Sequence, residues 1–136
     1  MIVTAVMAAL AAELDKIAGL RVYDHLAANV APPFAVVLPP QSITYDLSGG
    51  RGQDQMDISV ALCAGMVSDR TVLDVLGPYA DGTGSSSVKA ILEAQNGSYT
   101  AFSRVRVRQV DFDTVTVSAV EYLGAIFALD VYGTGD

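Results

Sequence analysis

The sequence predicts an α+β domain: one mostly antiparallel sheet, an N-terminal helix and two short helices packed on it, and a long β-hairpin at the end. Three observations predict it. The run Ser103-Arg104-Val105-Arg106-Val107-Arg108-Gln109-Val110 alternates polar and apolar residues, the two-residue period of a strand with one dry face and one wet face. The run from Val120 to Tyr132, centred on Leu123-Gly124-Ala125-Ile126-Phe127-Ala128-Leu129, is apolar on both faces, which suits a strand covered on both sides. Ahead of both, Val3, Val6, Met7, Leu10, Leu14 and Ile17 recur at three- and four-residue steps, the stripe of an amphipathic helix of about four turns.

The remaining elements follow in chain order. Gly19 is placed to end the first helix as a C-terminal cap, and Leu20 to Tyr23 reads as a short strand. Pro32-Pro33 and Pro39-Pro40 bracket Phe34-Ala35-Val36-Val37-Leu38; paired prolines withhold amide donors, so this strand is short and sharply bounded. Ser42 to Asp46 adds a few strand residues. Leu47 to Gln55 is a polar, glycine-rich connection, and the loop from Asp46 to Gln55 is expected to be mobile in a free subunit and ordered only against a neighbour, because glycines lose most entropy on ordering. Met56, Ile58, Val60 and Leu62 alternate with Asp57, Ser59, Ala61 and Cys63 as a strand that Gly65 closes. Ser68 is a good N-cap for a helix from Asp69 to about Leu76, stopped by Gly77-Pro78. One of Ser85, Ser86 and Ser87 caps a second short helix, Val88 to Ala94, which Asn96-Gly97 ends. Without repeat or linker, residues 1–136 read as a single domain.

Hydrophobic residues make up 51% of the chain and charged ones 17%, so part of the surface is expected to lie against partners. A net charge of −7 argues against nucleic acid or an anionic membrane as a tightly held ligand. Cys63, the single cysteine, cannot form an internal disulfide and reads as a small buried thiol in a reducing compartment such as a bacterial cytoplasm. Glu13, Asp15 and Lys16 cut the first apolar stretch short of a membrane span, and no basic leader precedes it, so neither a span nor a signal peptide is expected.

Catalytic and metal-binding constellations are thin. The only histidine, His25, stands between Asp24 and Leu26 with no nucleophile context beside it, and reads as a surface residue. One histidine and one cysteine cannot build a zinc site, and Asp111 with Asp113 reads as turn chemistry rather than a calcium loop. Gly49-Gly50-Arg51-Gly52 lacks the spacing and the Lys-Ser/Thr of a phosphate loop and reads as a hairpin connection. No enzyme activity and no cofactor is expected. Arg104, Arg106 and Arg108 put three of the eight basic residues on one strand. They read first as a solvated face with cross-strand carboxylates such as Glu121 or Asp130, and second as a subunit interface.

The segment Pro32 to Pro40, then Ile43-Thr44-Tyr45-Asp46, then a glycine-rich loop into Asp57-Ile58-Ser59-Val60-Ala61-Leu62, resembles the tail terminator proteins of long-tailed, siphovirus-type bacteriophages. So do Ser68-Asp69-Arg70 opening a helix, Gly84-Ser85-Ser86-Ser87-Val88-Lys89-Ala90-Ile91-Leu92-Glu93-Ala94, and Tyr122-Leu123-Gly124-Ala125-Ile126-Phe127, the last especially as in phages of actinobacteria. The resemblance runs from the first helix to Tyr132 and lies in the order and spacing of these pieces.

It implies a virion protein of the tail-neck region, assembled in the host cytoplasm. Such a protein forms a homo-oligomeric ring, typically a hexamer, that ends tube growth and offers the head a docking face. The implied partners are the major tail tube protein and a head-completion or connector protein. DNA passes through such a ring without specific binding, and no membrane is involved. Interface positions expected on this reading are Arg51, Arg104, Arg106, Arg108, Leu123 and Phe127. Another neck connector or tail-completion protein is the nearer alternative; a small ligand-binding or enzyme domain is the more distant one.

Overall fold

In a computed structural model the described residues form three helices and a six-stranded sheet, an α+β fold. The structure describes residues 1–23, 33–47, 52–66, 71–117 and 119–134. In order these are α1 (Val3–Leu14), β1 (Arg21–Tyr23), β2 (Phe34–Val37), β3 (Ser42–Thr44), β4 (Asp54–Met66), α2 (Val72–Ala80), α3 (Val88–Ala94), β5 (Arg104–Val117) and β6 (Val120–Gly133). The sheet runs β1-β2-β4-β6-β5, with β3 beside the first residues of β4. Every pairing is antiparallel except β1 with β2. β4 and β6 are central and β5, as long as β6, lies at an edge.

The helices cover one face of the sheet. On that face Met56, Ile58, Val60 and Leu62 of β4 meet Ala125, Phe127, Leu129 and Val131 of β6, and Val6, Leu10 and Leu14 of α1 close over the same core. A fully buried aliphatic side chain of this size contributes about 1.5–3 kcal/mol, enough to hold a helix that lacks a side-chain N-cap bond. The opposite face carries a smaller apolar cluster of Phe34, Val36, Cys63 and Tyr122, where Phe34 and Tyr122 meet edge to face at 5.4 Å. The Cys63 thiol is fully buried, and burial pushes its pKa up to about 11.

Several boundaries differ from the sequence expectation. The first helix ends at Leu14 rather than near Gly19; two tight turns follow, from Leu14 O to Ile17 N and from Ile17 O to Leu20 N, with Gly19 at φ +80°. Ile17 and Leu20 stay buried, so the apolar stripe outlasts the helix. Strand β4 starts at Asp54, inside the expected loop, and runs past Gly65, which sits at a register shift. There a Cβ would come within 2.5 Å of Val72 Cγ2, so α2 can approach only a glycine.

Gly77-Pro78 does not stop α2. The helix continues to Ala80, with Pro78 exposed and Tyr79 buried beneath it, and burial of the ring outweighs the one lost backbone bond. The expected Ser68 cap and the helix residues from Asp69 to Arg70 lie outside the described residues. Ser87 does cap α3: its Oγ accepts from Ala90 N at 3.1 Å and donates to Asp81 O. Asp111 and Asp113 lie not in a turn but within β5, which runs on to Val117. No helix among the described residues is long and apolar enough to cross a membrane.

Candidate interaction surface

The terminal hairpin holds most of the residues that the sequence nominates. Its strands pair from Arg104 with Tyr132 to Val117 with Val120, and Ala119 at φ +65° helps turn the chain between them. The register slips once, between Val107 and Gln109, leaving Arg108 as an extra residue on β5. The alternation of Arg104, Arg106 and Arg108 is therefore not one even ladder.

Arg106 stands opposite Asp130 on β6, and Asp130 stands opposite Asp57 on β4, so a cation and two carboxylates form a row across three strands. Arg108, freed by the slip, reaches back over this row. Its Nη2 lies 3.4 Å from Asp57 Oδ1 and its Nη1 lies 3.6 Å from Asp130 Oδ1. Asp130 is buried, and Gln55 Nε2 donates to its Oδ1 at 3.2 Å. A carboxylate so placed needs compensation, and Arg108 with Gln55 supplies it. Asp130 is thus, with Asp57, one of the two carboxylates that Arg108 meets. Glu121 is not, since it pairs with Thr116 near the far end of the hairpin.

Arg104 and Arg106 remain exposed on the strand face. Phe127 lies in the core at 1% exposure, where it fixes β6 under the helices and cannot face a neighbour. Leu123 is half-buried at the margin of the same core. Arg51, and His25 with it, lie outside the described residues. On either side of residues 48–51, Leu47 N donates to Gln53 O at 2.8 Å and Asp46 N donates to Asp54 Oδ1 at 3.0 Å.

The sequence reading missed what α3 and the turn after it do to the edge of β5. Asn96 accepts from Val105 N through Oδ1 at 2.8 Å and donates to Val105 O through Nδ2 at 2.9 Å, so one amide side chain stands in for a neighbouring strand. Glu93 Oε2 accepts from Val107 N at 2.8 Å, and Lys89 Nζ lies 3.4 Å from Val107 O. Burial pushes the Glu93 carboxyl up, but the bonds from Lys89 and Val107 and the charges of Lys89 and Arg106 outweigh it and hold it below its ordinary value. The only sequence signal for this was polar residues at the end of a short helix, which look the same when merely solvated.

Beyond Arg108 no strand pairs with the edge among the described residues. Gln109, Asp111, Asp113, Thr114 and Thr116 are exposed, and Phe112 is 54% exposed on the helix side of the strand. Other large apolar side chains reach solvent on separate elements: Ile2 ahead of α1, Leu73 and Val75 on α2, and Tyr45 and Leu47 after β3. No group of three or more His, Cys, Asp or Glu placed to hold a metal occurs among the described residues. Two open hollows lie beside α1. One of about 360 Å³ is lined by Ala8, Ala11, Ala12, Asp15, Val22 and Tyr23, and one of about 270 Å³ by Met1, Ile2, Ala5, Thr100, Ala101 and Thr134. Neither lining sets an acid, a base and a nucleophile against one another.

No protein-family model matches the sequence, and no curated protein matches it.

Proposed function

We propose that this protein is a ring-forming virion component that caps the head-proximal end of a bacteriophage tail tube, as its resemblance to tail terminators implies. In this role one face of the ring takes the place of the next tube layer, and the other face does not repeat the tube's contacts, so growth stops and the head can dock. The observation that carries the reading is the distribution of exposed large apolar side chains. Ile2 at 69%, Leu73 at 60%, Tyr45 at 67% and Phe112 at 54% sit on four separate parts of the fold. A subunit of a closed ring meets its two neighbours through different patches and meets the tube and the neck through others, so it needs several such surfaces. A two-fold dimer needs only one. A net charge of −7 per subunit gives the ring a negative field, which favours passage of DNA over its retention.

The test is the mass of the assembled species by light scattering, together with imaging of tails made with and without the protein. The expected outcome is a ring, six-fold on this reading, in solution or at the tube end, with tails of irregular length in its absence. Monomers in solution and no density at the tube end would overturn it.

A further inference from the structure

We propose that the free edge of β5 beyond Arg108 is a strand-acceptor site, and that it takes an extended segment of a partner protein with basic residues at alternate positions and apolar residues between them. This inference does not depend on the capping role.

In an antiparallel ladder, residues bonded to the neighbouring strand alternate with residues whose N–H and C=O turn outward. On β5, Val105 and Val107 are outward residues, and α3 with Asn96 satisfies them. Past the register slip the outward residues are Val110, Phe112, Thr114 and Thr116. The bond from Thr114 N to its neighbour's Asp113 Oδ1, at 2.7 Å, agrees with that phase. Among the described residues no strand pairs with this edge. A long bare edge is a hazard that proteins usually blunt along its whole length with lysines, prolines or covering side chains. Here the covering by α3 and Asn96 stops at Val107; past it Asp113 Oδ1 takes the Thr114 amide, and the stretch carries neither lysine nor proline.

The side chains along the edge define what would fit. A strand added about 4.8 Å away sets its alternate side chains beside those of β5. On the open face of the sheet they meet Gln109, Asp111 and Asp113, which favours Lys or Arg. On the other face they meet Val110 and the exposed ring of Phe112, which favours apolar residues. A second copy of this edge fits poorly, because antiparallel pairing about Phe112 or Asp113 sets aspartate against aspartate.

The experiment uses the full chain and two capped heptapeptides, one alternating Lys and Val and one alternating Glu and Val, with amide exchange read residue by residue. The Lys-Val peptide should slow exchange at Val110, Phe112 and Thr116, and the Glu-Val peptide should not. Thr114→Pro withholds an outward amide without touching a bond to β6, and should weaken binding at least tenfold. Because that variant can fail to fold, the double variant Asp111→Lys/Asp113→Lys, which keeps the backbone, provides an independent arm. It should reverse the preference and take the Glu-Val peptide. The proposal is overturned if neither peptide protects these amides or if both protect them equally. Self-association of the protein through this edge, lost in Thr114→Pro, would overturn it too, since a second copy would then be the occupant.

Discussion

Asn96→Ala should loosen the edge strand more than an exposed position usually allows. Asn96 is solvent-exposed, yet it makes two bonds to one residue, at 2.8 Å from Val105 N and 2.9 Å to Val105 O. The Val105 side chain is fully buried and anchors β5 to the core. Each bond contributes about 0.5–1.5 kcal/mol net, and water can enter where the amide was, so the pair amounts to roughly 1–3 kcal/mol rather than the full desolvation cost. For a domain of this size a loss of about 2 kcal/mol lowers the melting temperature by roughly 5–10 °C. Asn96→Asp separates the two bonds. It keeps an acceptor for Val105 N but sets a carboxylate against Val105 O, so it should fall between wild type and alanine or below both. The assays are urea unfolding and exchange of the Val105 amide. If Asn96→Ala lies within about 0.5 kcal/mol of wild type and leaves Val105 equally protected, the side chain does not act as a strand mimic and the reasoning fails.

Three further outcomes are expected. Arg108→Gln leaves buried Asp130 with Gln55 alone and should destabilise by roughly 1–2 kcal/mol, whereas Arg104→Gln and Arg106→Gln should each stay within about 0.5 kcal/mol by urea unfolding; equal effects would remove Arg108 from its special place. The Glu93 carboxyl has a lowered pKa in the folded chain, so its stabilising contribution is present above the unfolded value and fades as pH falls through the folded one. Wild type should therefore lose more stability than Glu93→Gln on acidification below about pH 4.5, and parallel unfolding curves would count against this. At Gly124 a Cβ would lie 2.9 Å from Leu62 O and 3.0 Å from Val115 Cγ2, so Gly124→Ala should destabilise by about 1–3 kcal/mol in thermal melts, and a neutral result would mean that the central strands can spread without penalty.

The sequence by itself determined the elements whose signal is local. Alternation in Met56 to Cys63 and in Arg104 to Val107, and the three- and four-residue steps of the first helix, reflect faces that must be dry. Those faces are dry in the folded chain. The Ser87 cap was legible for the same reason, since its partner Ala90 lies three residues away. Boundaries were less legible where a distant contact overruled a local rule. Pro78 is tolerated because Tyr79 reaches the core, and Asp111 and Asp113 sit within a strand because an exposed edge does not penalise their charge.

The two-sided apolar run of β6 and the half-polar run of β5 already favoured β6 for a central place, but only the tertiary structure decided which strands flank it. It also decided the fate of the nominated side chains. Phe127 went to the core, and Arg108 moved out of its ladder through a one-residue slip at the Arg108-Gln109 break in the alternation. The bonds from Asn96 and Glu93 to β5 join residues nine and fourteen positions apart, and they form only because packing sets α3 beside that edge. Local pattern encodes which face of an element is dry; which neighbour a polar group finds is set by the assembled sheet.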